Sequence, residues 1–463
     1  MHASKKKPEE ILELLFEELA DFAVRATADF KSVREEFDPW YSLPQHSGSG
    51  SILTSKKASA LLDQLTEHAL RLRNLEARVS HGDLKKEIGE EAVRRFLKEE
   101  RAIDRQQADR LLSWAAKRAE GRCGEFKYFF PVRFTFQEEP HQIDLGSVKL
   151  KWLQRFDADL FGHTKKYLAS QKDEKSREWS RKHLRQAIEY YESYKWFAEV
   201  TIRGCDEKRA EDLAYELATS ALDCLYFLIG RKGTYRVEIG RFKLASDHRA
   251  LAWIKPNGTM MVQTSHGSLD AMGFKDGWSK DLERPDVQES LDLIRTLLDT
   301  KANLTLRRPL ANRFLDAARW FGEGVRDKKS HSKIVKFITS IERLVVAGKS
   351  EDISETVATR VADLTIESDH LADWVEKKKL VKRAYALRSD LVHGSVSPFS
   401  DPVLKGVSSC GDLAEEVLHI ALHRIRKDGL MATDVSEAEY AAWFSGIRTW
   451  VLKIHERNED VGL

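Results

Sequence analysis

Apolar residues recur at helical spacing through the C-terminal part of this chain. From about residue 286 onward they follow one another three and four positions apart, the spacing that places side chains on one face of a helix. The clearest stripes are Phe314, Ala318, Phe321 and Val325, then Ile334, Ile338, Ile341 and Val345, then Ile353, Val357, Val361 and Leu364. Helices joined by short connections are typical of a bundle. The pattern therefore predicts a helical bundle over residues 286–463.

Short aromatic and β-branched segments replace this pattern in the middle of the chain, and such segments favour strands. We expect strands over Phe126–Phe136, Val148–Trp152 and Trp196–Ile202. A helical pattern over about residues 206–228 follows the third of them. Strands mixed with helices predict an α+β middle domain over residues 123–285, which we interpret as sensor-like.

Residues 1–122 combine helical spacing with a high density of charged side chains. Pro39, Pro44 and the Ser/Gly run up to Ser51 interrupt the helical spacing and predict a flexible loop. The predicted fold class is therefore α+β and predominantly α-helical, with a helical N-terminal region over residues 1–122. The expected helices of this region cover about residues 8–36, 57–79, 84–97 and 104–119.

Composition excludes several classes of protein. The net charge of the 463-residue chain is only +2, so nucleic-acid binding requires a local basic surface. The four cysteines are isolated in sequence, which argues against a disulfide framework or a zinc site. The most apolar run, Leu217–Ile229, contains Asp223 and is shorter than the roughly 20 residues that span a bilayer. We therefore expect a cytoplasmic protein with no membrane partner.

The sharpest chemical pattern lies at the end of a fourth apolar stripe, which predicts a helix that ends at Gly394. Arg388 precedes His393 by five positions in its last turns. Arginine is a permanent cation suited to phosphate, and histidine titrates near neutrality. One of the two can hold a phosphodiester while the other moves its protons. From spacing alone, a solvated helix face with a capping histidine explains the pattern equally simply.

The two residues need a special arrangement to act on one ligand. An unbroken helix with 3.6 residues per turn places Arg388 and His393 about 140° apart. They converge only if the helix ends near His393 or if a second chain supplies a matching pair. Basic residues on the same helix would form a local ridge for an RNA backbone. These candidate RNA-binding residues are Arg383, Lys382, Lys379 and Lys378.

The run from Arg383 to Gly394 resembles the signature of HEPN domains, in particular that of the Apea-like branch. In that family a tyrosine, here Tyr385, is followed three residues later by an arginine and then by an apolar-His-Gly ending. Arg388 and His393, with four residues between them, fit the R-x4-H motif of HEPN ribonucleases. The resemblance is specific enough to predict a HEPN bundle at the C-terminus.

Two upstream segments extend the resemblance. Phe337–Leu344 is similar to the second helix of the family, and Thr359–Leu364 is similar to its third. The likeness therefore covers roughly residues 305–430. The second of these helices carries Glu342 on its apolar stripe, where a carboxylate is costly unless it is paired. We expect Glu342 to hold Arg388 or a neighbouring helix and not to act directly in catalysis.

HEPN ribonucleases are metal-independent dimers, so the resemblance implies no cofactor and a homodimer through the C-terminal bundle. It implies that His393 acts as general base or acid at the RNA 2′-hydroxyl. Arg388 would stabilise charge on the scissile phosphate, and a 2′,3′-cyclic phosphate would result. Ser389 or Asp390 would orient His393 or the substrate, and Tyr385 would support the site.

The resemblance predicts an endoribonuclease that cleaves tRNA or mRNA as an effector in prokaryotic antiviral defence or toxin-like growth arrest. A phage-derived or nucleotide trigger would act on the upstream domains. The alternatives are a non-catalytic HEPN module that binds RNA or protein, and a dimerisation scaffold. Some HEPN toxins carry a tyrosine two residues after the histidine, which a partner enzyme modifies. This chain has Ser395 there, so such a partner is not implied.

Overall fold

The computed structural model describes residues 6–44, 51–153, 164–234, 236–240, 247–254, 260–267, 273–274, 277–306, 308–348, 351–366, 371–430 and 434–460. Its predominantly α-helical α+β fold confirms the predicted class. No helix among the described residues is long and apolar enough to cross a membrane. The chain divides into two compact units, Met1–Phe126 with Ile202–Leu213 and Lys127–Thr201 with Ala214–Leu463. The three predicted domains (1–122, 123–285 and 286–463) stay a prediction.

Helices dominate the first unit. Their buried faces share one apolar core, to which Leu15, Leu62 and Leu111 contribute fully buried side chains. Asp104 begins the last of these helices by accepting a hydrogen bond from the Gln107 N–H. The helices are α1 (Pro8–Ala28), α2 (Phe30–Val33), α3 (Lys56–Leu72), α4 (His81–Ala92), a π-helical segment (Val93–Lys98) and α5 (Arg105–Glu120).

The loop expected between Pro39 and Ser51 is wrong for its described part. Strands β1 (Phe37–Pro44) and β2 (Ser51–Ser55) pair there in an antiparallel hairpin. Proline is tolerated in such a strand because a two-stranded hairpin leaves one edge of each strand without ladder hydrogen bonds. Pro39 and Pro44 therefore lie in an edge strand of the hairpin and do not mark a loop.

A five-stranded sheet has the order β4-β5-β6-β3-β7. The pairs β4–β5, β5–β6 and β3–β7 are antiparallel, as are β8 and β9 in a separate hairpin. The strands expected at Val148–Trp152 and from Trp196 onward are confirmed. The strands are β3 (Gly124–Arg133), β4 (Gln142–Leu145), β5 (Val148–Trp152), β6 (Trp196–Cys205), β7 (Glu238–Ile239), β8 (Asp247–Ile254) and β9 (Met260–Gly267).

Within the described residues, five further helices lie between β5 and the C-terminal bundle or at its border. The long helix after β6 begins next to Asp206, whose carboxylate accepts from the Arg209 N–H and so caps the helix start. These helices are α6 (Thr164–Ala169), α7 (Glu174–Tyr194), α8 (Glu207–Ile229), α9 (Arg231–Thr234) and α10 (Trp278–Asp281).

The C-terminal helices pack as the apolar stripes predict. Helices α12 and α13 form a closely packed antiparallel hairpin, α16 packs on α13, and α14 packs on α15. Phe314, Phe321 and Ile338 are fully buried, whereas Ile353 is 39% exposed at the start of its helix. The helices are α11 (Pro285–Ala302), α12 (Pro309–Arg326), α13 (Ser330–Val345), α14 (Ile353–Thr365), α15 (Leu371–His393), α16 (Asp401–Lys427) and α17 (Glu437–Asp460).

A buried ion pair joins α8 to α12 within the second unit. Asp223 is fully buried, and Arg326 Nη1 lies 2.5 Å from its Oδ1 and 3.0 Å from the Tyr226 hydroxyl. A Cβ added at Gly322 would overlap the Asp223 carboxylate, so the two helices approach closely because that position is glycine. Burial raises the pKa of Asp223 to about 7, and the charge of Arg326 opposes this shift.

Candidate active site

Helix α15 ends at His393 through backbone hydrogen bonds that glycine makes possible. Gly394 has a φ of 75°, in the left-handed region that residues with a Cβ rarely adopt. The Ser395 N–H donates to the Asp390 carbonyl at 2.8 Å, and the Gly394 N–H donates to the Leu391 carbonyl at 3.4 Å. These two bonds form a Schellman motif. His393 is consequently the last helical residue, and its side chain is exposed.

Arg388 lies on the face of α15 that approaches α13. Its Nη2 is 3.5 Å from Glu342 Oε2, which is longer than the 2.7–2.9 Å typical of charge-assisted hydrogen bonds. Arg388 Nε and Glu342 Oε2 are both buried, and neither has a hydrogen-bond partner among the described residues. The Arg388 side chain is 23% exposed. Glu342 therefore attracts the guanidinium electrostatically without forming a hydrogen bond to it.

Tyr385 supports Arg388 from one turn earlier on α15. The Arg388 Cζ lies 5.7 Å from the centroid of the Tyr385 ring, within range of a cation–π interaction. Burial raises the pKa of Tyr385, the charge of Glu342 raises it further, and Arg388 opposes both. The Tyr385 phenol is therefore neutral at physiological pH, and its ring lies beside the Arg388 guanidinium. The structure brings together Glu342, Arg388 and Tyr385 from two helices.

The structure does not bring Arg388 and His393 to one point within a single chain. The helix is continuous through His393, so the two side chains leave it about 140° apart. Ser389 is partly buried and Asp390 is exposed. Among the described residues neither side chain forms a hydrogen bond with His393. A role for them in orienting His393 stays a prediction.

The basic ridge of α15 is largely neutralised by carboxylates. Lys378 and Lys382 both pair with Glu355 of α14, with a Lys382–Glu355 distance of 2.6 Å. Hydrogen bonds from these lysines, that of Lys378 first, lower the pKa of Glu355 to about 2. Lys379 lies 2.8 Å from Glu376 one turn away. Arg383 is also exposed, and it has no carboxylate partner in the part of the chain described.

Replacing Glu355 with glutamine tests whether this ridge contacts RNA. We expect several-fold tighter RNA binding, since two lysines lose their carboxylate, and a log–log salt dependence steeper by about 1. Fluorescence anisotropy with labelled RNA at several salt concentrations measures both. Glu174→Gln is the matched control, because Glu174 pairs with Arg177 and Arg181 on α7. Equal affinities for both variants and the wild type would exclude the ridge from the RNA contact.

Sequence reasoning missed three exposed apolar residues that follow or flank the motif. Val392 is 54% exposed, Phe399 84% and Leu404 54%. The segment that carries Phe399 and Leu404 lies beside the end of α15. The next residues reach Gly406, where an added Cβ would lie 2.6 Å from Leu387 Cδ2. Exposed apolar side chains that cluster often mark interaction surfaces. Their isolated positions in the sequence gave no periodic signal that would have identified them.

No family model, curated protein or solved structure matches this chain. The candidate site is therefore defined by its own residues and by the resemblance of the segment around Arg388 and His393 to HEPN domains.

Proposed function

We propose that this protein is a metal-independent endoribonuclease of the HEPN type. The observation that carries the proposal is the Arg388 guanidinium, which lies 3.5 Å from Glu342 on a side chain that is 23% exposed, close in sequence to the exposed His393. A positioned arginine with unused donors suits a phosphodiester, and an exposed imidazole at a helix end suits proton transfer.

The reaction uses the 2′-hydroxyl of RNA as its nucleophile. His393 accepts the 2′-hydroxyl proton as the 2′-oxygen attacks phosphorus, and the bond from phosphorus to the 5′-oxygen breaks. The departing 5′-oxygen takes a proton from the imidazolium that His393 has become, and a 2′,3′-cyclic phosphate remains on the other fragment. Arg388 stabilises the negative charge that grows on the phosphoryl oxygens.

A second copy of the chain completes the site in this proposal. The angle of about 140° between Arg388 and His393 separates them in one chain. A two-fold partner can place its own His393 opposite Arg388, because a symmetric interface repeats each contact twice. The exposed Val392, Phe399 and Leu404 supply apolar surface for this interface beside the motif.

Mixed dimers test the composite site directly. Full-length Arg388→Ala and His393→Ala chains are co-expressed with different tags and purified through both. We expect about half the wild-type cleavage rate, since one of the two symmetric sites keeps Arg388 of one copy and His393 of the other. Each variant alone should be inactive. Inactive mixed dimers, or cleavage by a monomer in light scattering, would contradict a site shared by two copies.

The cleavage assay also separates the proposal from a non-catalytic binding module. The wild type is expected to cut tRNA or mRNA with EDTA present and to leave 2′,3′-cyclic phosphate ends, which a phosphatase specific for monoesters does not remove. RNA binding without cleavage in the dimer, across candidate triggers, would favour the binding module. We further propose that the enzyme acts in the cytoplasm as a defence or growth-arrest effector under control of the upstream residues.

A further inference from the structure

A second cleft lies between the end of α16 and the face of α17. Its volume is about 720 Å³, within the range of about 300–1,000 Å³ typical of small-molecule sites. Helix α16 rises about 1.5 Å per residue, so the cleft lies roughly 30 Å from Gly406 and the end of α15. It is therefore separate from the candidate active site. Its lining includes Ile366, Arg424, Lys427, Asp428, Trp443, Gly446 and Trp450.

Two tryptophans and a glycine share the face of α17 that lines this cleft. Trp443, Gly446 and Trp450 stand three and four positions apart, the spacing of one helix face. A Cβ added at Gly446 would meet no atom within 4 Å. The missing side chain thus leaves open space on the helix face between the positions of the two tryptophans.

The first indole is held rigidly, and the second is accessible. Trp443 Nε1 donates to Asp428 Oδ2 at 2.6 Å, and its ring stacks on Tyr440 with centroids 5.4 Å apart. Trp450 is 48% exposed. An indole that is half exposed at the edge of a cleft is accessible to a ligand that enters the cleft. A fixed ring and an accessible ring are what a stacked planar ligand requires.

The opposite wall of the cleft carries positive charge. Lys427 is exposed and has no acidic partner within the described ranges, and Arg424 donates to the Ile366 carbonyl. Asp428 supplies one negative charge, which the Trp443 N–H already engages. Basic residues in a last helical turn also complement the helix dipole. The interaction with the helix dipole accounts for the basic residues, but it does not account for the two tryptophans beside them.

We propose that this cleft binds a nucleotide unit, with the base on the indoles and the phosphate at Lys427. Aromatic stacking combined with basic side chains is the usual chemistry of nucleotide and single-strand recognition. The unit comes either from a free nucleotide or from a nucleic-acid strand, and both present the same base and phosphate. The inference does not depend on ribonuclease activity, because binding here requires neither Arg388 nor His393.

Calorimetry on the full-length protein tests the proposal with three probes: AMP, inorganic phosphate and a six-residue oligodeoxyadenylate. The oligodeoxyadenylate lacks the 2′-hydroxyl and cannot be cleaved by the proposed reaction. We expect AMP or the oligomer to bind at least tenfold more tightly than phosphate. Trp450→Ala and Gly446→Phe are expected to weaken that binding by about 5- to 150-fold, since stacking contributes about 1–3 kcal/mol per base. Lys427→Glu should weaken it further by repelling the phosphate.

Trp179→Ala is the matched control, because Trp179 on α7 is 60% exposed and does not line the cleft. Tighter binding of the oligomer than of AMP identifies a strand as the source, and equal binding identifies a free nucleotide. Binding of phosphate as tightly as AMP would overturn base stacking. Binding that is absent, or that Trp450→Ala and Gly446→Phe leave unchanged, would overturn the proposal.

Discussion

Replacing His393 with alanine is expected to reduce RNA cleavage by about 10²–10⁴-fold, the usual contribution of a general acid–base group. RNA affinity should change little, because the imidazole moves protons and the phosphate is held by Arg388. The side chain is exposed, and the hydrogen bonds that close α15 use only backbone atoms. The fold should therefore be retained. Single-turnover cleavage with EDTA present, together with RNA anisotropy and thermal unfolding, measures all three properties.

His81 provides the matched control for this variant. It is also an exposed histidine followed by glycine, but it begins α4 and is 44% exposed next to Asp63. His81→Ala should cleave RNA at the wild-type rate. Cleavage that survives in His393→Ala would remove His393 from the reaction. A parallel loss in both variants would point to a general effect of removing surface imidazoles.

Replacing Arg326 with methionine is expected to destabilise the second unit by about 3–5 kcal/mol at pH values above the raised pKa of Asp223, where its carboxyl is ionised. Removing one partner of a buried ion pair leaves the other charge without compensation. Asp223 is fully buried, and its Oδ2 already lacks a hydrogen-bond partner within the described residues. Thermal unfolding should show a midpoint lower by several degrees, given the usual shift of a few degrees per kcal/mol.

The pH dependence of this variant follows from the remaining carboxyl group. Burial raises the pKa of Asp223 to about 7 even with Arg326 beside it, and loss of that cation raises the pKa further. A carboxyl with a raised folded-state pKa contributes stability below its unfolded pKa of about 3.9 and loses it as pH rises through the folded value. The deficit relative to the wild type should therefore be smallest near pH 4–5 and largest above pH 7.

Two further variants decide the interpretation. Arg319→Met alters the same helix, but Arg319 pairs with Glu323 at the surface and should contribute less than about 1 kcal/mol. Adding Asp223→Asn to Arg326→Met should restore part of the lost stability by removing the uncompensated charge. A midpoint for Arg326→Met no lower than that of Arg319→Met would show that the buried pair does not hold α8 to α12.

Local patterns in the sequence determined the elements of this protein. The helical spacing of apolar residues predicted the helices α12 and α13. Aromatic and β-branched segments predicted the strands β5 and β6. Gly394 predicted the end of α15, because closing a helix this way depends on one backbone position. The hairpin of β1 and β2 was not predicted, because proline residues such as Pro39 and Pro44 occur both where a helix is interrupted and in edge strands.

Only the tertiary structure decided which charged side chains form ion pairs with one another and which can still pair with a ligand. Glu355, on a different helix, pairs with both Lys378 and Lys382 and offsets one of their two positive charges. The basic ridge therefore carries less net charge than its lysines alone suggest. Asp223 and Arg326 meet across the domain boundary predicted at residue 285. Likewise, the cleft beside Trp450 exists only where α16 and α17 meet. Sequence spacing specifies the face of a helix, but the partner of that face is chosen by packing between distant segments.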